Sequence, residues 1–197
     1  MTLYHLALYA HILGVLGLFG AIGLEWTSMV RMRRARTVEQ LREWASLHPT
    51  LEKVFPVTAI LILAAGLYMV GDVWGWGNAW INLSLAALVL LAALVPSING
   101  RRLRAIHSGA QATPPGPVPS ALTRQIEDPT LWTSVKIMIT VALGVVYLMA
   151  AKPEALGSWV TLVVAALLGW VWARPAMLNR GSAAARARWT RRGAPGT

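Results

Sequence analysis

The chain of 197 residues has no cysteine and few charged residues, and each shortage excludes a class of protein. Without cysteine there is no disulfide framework, no thiolate metal site and no cysteine nucleophile. Charged residues make up 13% of the chain, against about 25% in a typical soluble domain. Hydrophobic residues make up 56%, which excludes disorder as the main state because disordered chains are poor in them. The composition predicts a small polytopic membrane protein.

The chain also lacks the short motifs that usually mark a catalytic site. It contains no nucleophile elbow, no paired-histidine zinc motif, no phosphate-binding Walker loop and no dinucleotide fingerprint. A secondary transporter is disfavoured because polar residues near the middle of the apolar runs are almost absent. The leading interpretation is therefore an uncharacterised integral membrane protein without a recognisable catalytic site.

Five apolar runs are long enough to cross a bilayer as helices, which takes about 20 residues each. Barrel strands are excluded because they alternate in polarity over about ten residues, whereas these runs are continuously apolar. The fold class is therefore an all-α bundle of five transmembrane helices, with spans of about 4–29, 54–71, 79–98, 131–151 and 155–173.

The positions of the arginines predict the orientation of the bundle, since short basic loops resist translocation. The basic residues cluster after the first, third and fifth spans, and the loop 72–79 has none. Five spans place every cluster on one side, with the N-terminus outside and the C-terminus in the cytoplasm. The net charge of +10 then sets topology, and we expect no nucleic acid partner. Tryptophans at the two predicted headgroup levels agree with this arrangement, and they are Trp74, Trp76, Trp80 and Trp159 outside and Trp26, Trp132 and Trp172 inside.

The segments between the spans carry weaker signals. Residues 37–47 have a capping-box start and an apolar face, which predicts a short helix lying in the cytoplasmic interface. The cytoplasmic linker 101–130 includes a proline-rich stretch, 108–120, which we expect to be a flexible spacer. The tail 179–197 is rich in arginine, and we expect it to be disordered and to lie on the anionic cytoplasmic leaflet.

The first span contains two of the few ionisable residues at membrane depth. His11 and Glu25 fall on one stripe of the helix, and ionisable residues inside a membrane are functional candidates because they are costly to bury. Four glycines make the same helix thin enough for a neighbour to approach closely, and they are Gly14, Gly17, Gly20 and Gly23. We expect this helix to be buried in the bundle, or to dock a partner protein or a second copy of the chain.

Lys136 lies about one turn inside the fourth span, at the level of Glu25. The two residues are a candidate intramembrane ion pair, because pairing lowers the cost of two separate charges. The alternative is that Lys136 extends to the headgroups by itself.

His11 is also the candidate ligand of a cofactor. His5 points about 120° away around the helix, and His48 and His107 are predicted to be cytoplasmic, so two histidines of one chain are not expected to share a haem. A site for haem or copper at His11, completed by Met69 or Met149 near the outer side, is geometrically open. Packing is the usual role of buried methionines.

Two stretches resemble a known family. Residues 8–20, Leu-Tyr-Ala-His-Ile-Leu-Gly-Val-Leu-Gly-Leu-Phe-Gly, and residues 147–153, Tyr-Leu-Met-Ala-Ala-Lys-Pro, resemble segments of a bacterial family of predicted integral membrane proteins, the domain of unknown function 2269. The first helix more distantly resembles that of CopD-like copper-resistance proteins and HemJ-like protoporphyrinogen oxidases. The resemblance to these two groups implies a role for His11 with copper or haem, and the resemblance to a bacterial family implies a location in a bacterial inner membrane.

Three functional classes follow from these observations. The first is a membrane protein of unknown role, and the second is a haem- or copper-linked redox protein that uses His11. The third is an accessory or scaffold subunit of a membrane complex, with the glycine-lined first helix as its docking surface.

Overall fold

The computed structural model describes residues 3–192, with side chains described up to residue 174. This part of the chain is all-α and contains no strand beyond a single isolated bridge. Its helices are α1 (Leu3–Arg34), α2 (Val38–Ala45), α3 (His48–Met69), α4 (Ala79–Leu94), α5 (Arg101–Ala112), α6 (Ser120–Ile126), α7 (Pro129–Ala151) and α8 (Ala155–Arg192). Two π-helical segments, Val70–Trp74 and Val95–Gly100, extend α3 and α4.

The predicted all-α membrane fold is confirmed, because five helices among the described residues are long and apolar enough to cross a bilayer. They are α1, α3, α4, α7 and α8. Several run past the apolar boundaries read from the sequence: α1 continues to Arg34, and α3 begins at His48. The helical hydrogen-bond ladder continues past the last apolar residue, because charged side chains in the terminal turns reach water without breaking it.

Glycines allow the closest helix contacts. At Gly14 of α1 an added Cβ would lie 2.8 Å from the Ile62 side chain of α3. At Gly169 of α8 it would lie 2.6 Å from the Ile137 Cα of α7. Backbones can approach this closely only where one helix has no side chain. The result is two tightly packed helix pairs, α1 with α3 and α7 with α8, and α4 packs mainly against α7.

The predicted interfacial helix and flexible spacer are corrected by the structure. The apolar face of α2 is covered by protein, with Val38, Leu41 and Ala45 almost fully buried. The core around it also includes residues of α1, α5, α6 and α7, namely Met29, Met32, Leu103, Ile106, Ala110, Leu122, Ile126, Leu131 and Trp132. This cap of α2, α5 and α6 lies at the end of the bundle that carries the first two arginine clusters, which we call the basic end.

The proline-rich stretch belongs to the same cap. The backbone N–H of Val38 donates to the Gly116 carbonyl over 2.8 Å, and that of Val118 donates to the Arg36 carbonyl over 3.2 Å. The Arg42 Nε donates to the Ala110 carbonyl over 2.8 Å. Proline composition alone predicted flexibility, whereas these tertiary hydrogen bonds fix the segment.

The predicted tail falls partly on α8, which continues to Arg192, and its last residues, 193–197, lie outside the described residues. Its disorder stays a prediction.

Glycine substitutions on two helices test the close packing. We expect Gly169→Ala to destabilise the protein by about 1–3 kcal/mol, because the new methyl group forces α7 and α8 apart. Gly20→Ala is the control, since an added Cβ there meets nothing within 4 Å, and alanine should stabilise the helix by up to about 1 kcal/mol. Thermal unfolding of the two variants in the same detergent measures the difference, and equal shifts would contradict the close contact.

Candidate functional site

A large apolar cavity lies between the α1–α3 pair and the α4–α7 pair. Its volume is about 1000 Å³. On α1 its lining extends from Tyr4 to Trp26, a length of about 33 Å at 1.5 Å per residue. Several lining side chains are also exposed on the surface of the bundle, among them Ile12, Leu16 and Ile60. The cavity is therefore a cleft that runs along most of the membrane-spanning region and opens sideways.

Aromatic contacts join the walls of the cleft at both ends. At the basic end, Trp26 of α1 packs against Trp132 and Trp172, with ring centroids 5.5 and 5.1 Å apart. At the opposite end, Trp80 belongs to a small core with Val70, Ile81 and Leu148, and the Lys152 ammonium lies 4.2 Å from the ring centroid of Trp74. The walls of the cleft are thus joined at both of its ends.

His11 lies on the wall of the cleft. Its Nδ1 is 3.0 Å from the Ile62 carbonyl oxygen of α3. A carbonyl only accepts hydrogen bonds, so Nδ1 donates, and in the neutral ring Nε2 is left with a lone pair. The ring also packs against Gly66, where an added Cβ would lie 3.4 Å from the imidazole. Fixing one nitrogen in this way sets the tautomer that a metal ligand needs.

Met69 and Met149, proposed with His11 as ligands, line the same cavity. Met69 is buried on α3, one turn beyond Gly66. Met149 of α7 packs against the core around Trp80. The structure therefore brings all three candidate residues to one cavity. Among the described residues, no three histidine or carboxylate side chains form a cluster that could hold a metal ion.

Glu25 is paired with His48. The His48 Nδ1 lies 3.1 Å from a carboxylate oxygen of Glu25, and the side chains are 7% and 15% exposed, respectively. Both residues line the cleft at the basic end. His48 is the first residue of α3, and the short connection from α2 holds it against α1, where the Ser28 hydroxyl donates to the Trp44 carbonyl over 2.7 Å.

One nitrogen of the His48 ring is left without a hydrogen-bond partner among the described residues. The Nε2 of His48 is buried and has no hydrogen bond within the part of the chain that the structure describes. An ionised Glu25 only accepts hydrogen bonds, so Nδ1 of a neutral His48 donates to it and Nε2 is an acceptor. This end of the cleft therefore offers a carboxylate and an imidazole, both suited to accept hydrogen bonds.

Lys136 does not share this carboxylate in the structure. Its Nζ donates to the Trp172 carbonyl of α8 over 3.1 Å and lies 5.2 Å from the Trp172 ring centroid. The predicted Glu25–Lys136 pair is absent from the ion pairs of the described residues, because His48 occupies the position beside Glu25. Lys136 is instead a buried cation held by a carbonyl and a π-face.

His48 is the functional candidate that sequence reasoning missed. It was placed outside the membrane because Lys53 appeared to mark the start of the second span. The available signal was Glu25 itself, since a carboxylate at membrane depth needs a partner. His48 lies only a few residues before the apolar run. Because α3 begins before the predicted start of the second span, His48 is within reach of Glu25.

Removing Glu25 tests how tightly the pair is built into the fold. We expect Glu25→Ala to cost about 1–3 kcal/mol of unfolding free energy, because it leaves both nitrogens of a buried imidazole without partners. The control is Glu52→Ala, which breaks the more exposed ion pair with Arg104 and should cost at most about 1 kcal/mol. Denaturation in mild detergent measures both, and a smaller loss for Glu25→Ala than for Glu52→Ala would contradict the assignment.

Comparison with known proteins assigns the chain to a family and leaves its activity open. No curated protein and no solved structure matches. Residues 5–153, which include His11, Glu25, His48, Met69 and Met149, match the family described as predicted integral membrane protein (DUF2269). The chain belongs to this family of predicted integral membrane proteins, DUF2269.

Proposed function

We propose that the protein binds haem in the cleft, with His11 as an axial ligand, and serves as a membrane redox protein. The observation that carries this proposal is the fixed tautomer of His11, whose Nδ1 is held by the Ile62 carbonyl and whose ring lines a cavity of about 1000 Å³. Pockets for bulky organic ligands measure about 300–1,000 Å³ and have apolar walls with few polar groups. The cleft matches both properties.

Other residues of the cleft match the chemical groups of a haem, namely its iron and its propionates. Met69 and Met149 are thioethers on its walls, and either would supply a second protein ligand to the haem iron. Lys152 lines the end opposite the basic end and would supply a cation for a propionate. Bound haem would contribute one-electron chemistry. The size of the cavity favours haem over the alternative, a copper ion, whose ligands must converge on one point at bond distance.

Titration with ferric haem tests the proposal. We expect the purified protein to give a Soret band, and His11→Ala to lose it or to weaken haem affinity by at least about tenfold, because each tenfold step is about 1.4 kcal/mol and a coordinate bond contributes more. The matched control is His5→Ala, which changes a histidine of the same helix that is outside the described lining.

His48→Ala is the second control, since His48 lies at the other end of the cleft from the proposed ligand. Full Soret intensity in His11→Ala, or loss of the band only in His48→Ala, would contradict the assignment of His11.

We further propose that the protein resides in a bacterial inner membrane with the basic end in the cytoplasm. Support comes from the arginines of this end, in Arg31–Arg36 and Arg101–Arg104, and from the loop between α3 and α4, which has no basic residue. Basic loops are retained on the cytoplasmic side during insertion.

The absence of natural cysteines gives a direct test of orientation. In intact cells, a membrane-impermeant maleimide should label Gly77→Cys, in the loop between α3 and α4, and should spare Ala121→Cys on α6 until the cells are opened. The reverse pattern would contradict the proposed orientation.

A further inference from the structure

We propose that the Glu25–His48 pair forms a second binding site in the cleft, for the hydroxyl headgroup of a phenolic or quinol-type amphiphile. This site is distinct from the proposed haem site. Glu25 is 14 residues after His11 on α1, which separates the two levels by about 21 Å along the helix.

The first argument for this site is the free-energy cost of placing the Glu25 carboxylate at membrane depth. A carboxylate at membrane depth is expensive, and such groups mark ligand or proton sites more often than structural ones. Among the described residues, Glu25 forms no ion pair with a lysine or an arginine, and its carboxylate contacts the His48 imidazole instead. Its side chain remains 15% exposed and lines the cleft.

Hydrogen-bonding capacity is the second argument. His48 is 6% exposed, lines the same cleft, and its Nε2 is one of two buried side-chain polar atoms without a partner in the described part of the chain. With the Nδ1 of a neutral His48 donating to Glu25, the carboxylate oxygens and the buried Nε2 are all hydrogen-bond acceptors. A matching headgroup must therefore bring hydrogen-bond donors, and a hydroxyl group does so without carrying charge into the apolar cleft.

The surroundings favour an aromatic hydroxyl over an aliphatic one. Trp26 and Phe55 line this end of the cleft and provide apolar ring faces. The carboxylate behind the imidazole makes it a better acceptor, which suits a phenol because its hydroxyl is a stronger acid than that of an alcohol. The rest of the cleft is apolar and long enough for an alkyl or prenyl chain.

The binding test uses decylhydroquinone and its dimethyl ether, which share ring and tail but differ in the hydroxyl donors. The full-length protein is placed in lipid nanodiscs without added haem, and binding is measured by calorimetry with empty nanodiscs as the blank. We expect the hydroquinone to bind about tenfold more tightly than the ether, as one or two hydrogen bonds to a charged acceptor allow.

Variants then identify the side chains that cause the preference for the hydroquinone over its dimethyl ether. In Glu25→Leu, the hydroquinone and its dimethyl ether should bind with equal affinity. In His48→Phe, the ratio of the two affinities should fall at least threefold, because Glu25 loses the group that positions it. Glu52→Gln changes another carboxylate of the lining and should keep the wild-type ratio, as should His11→Ala. A ratio, unlike a single affinity, is insensitive to a general loosening of the cleft.

Equal binding of the two ligands to the wild-type protein would overturn the proposal, and this comparison needs no variant to fold. An unchanged ratio in Glu25→Leu would overturn it as well. Neither result bears on the haem proposal, since His11→Ala is read by its Soret band.

Discussion

The packed core at the basic end is the larger of the two buried clusters that join the halves of the structure, and the rest of the arrangement depends on it. Within each helix pair, glycines bring backbones together, as at Gly14 and Gly169. Between the pairs, α3 and α4 touch little, and the halves are joined instead by the cap and by the Trp26, Trp132 and Trp172 rings. Because the cap fixes the distance between the pairs at one end, the cleft can persist without side chains to fill it.

This arrangement explains why polar groups concentrate where they do. Lys136, Asn99 and the Glu25–His48 pair all lie toward the basic end, where backbone carbonyls and neighbouring side chains hydrogen-bond to them, except to the Nε2 of His48. The half of the cleft away from the basic end carries His11, whose hydrogen bond to the Ile62 carbonyl anchors it to α3. Of these polar residues, His11, Glu25, His48 and Asn99 line the cleft, whereas Lys136 is outside its lining.

The sequence was sufficient for the fold class and for most of the spans, because long apolar runs have few alternatives in a bilayer. It also singled out His11 and Glu25, since ionisable residues at membrane depth are rare enough to be conspicuous. The cap was missed because α2 is covered by residues of α5 and α6, which are distant in the sequence, and amphipathicity alone does not tell a lipid surface from a protein surface. His48 was missed for a related reason: Lys53 indicated a boundary in the sequence, but the helix begins five residues earlier.

The sideways opening of the cleft has a consequence for any ligand that it holds. Ile12, Leu16 and Ile60 line the cleft and are exposed on the flank of the bundle, so a hydrophobic molecule can enter from the surrounding lipid without crossing water. Occupancy then follows the mole fraction of the ligand in the bilayer rather than its aqueous concentration. At a fixed total amount of a hydrophobic ligand, additional lipid lowers this mole fraction and therefore the occupancy of the protein.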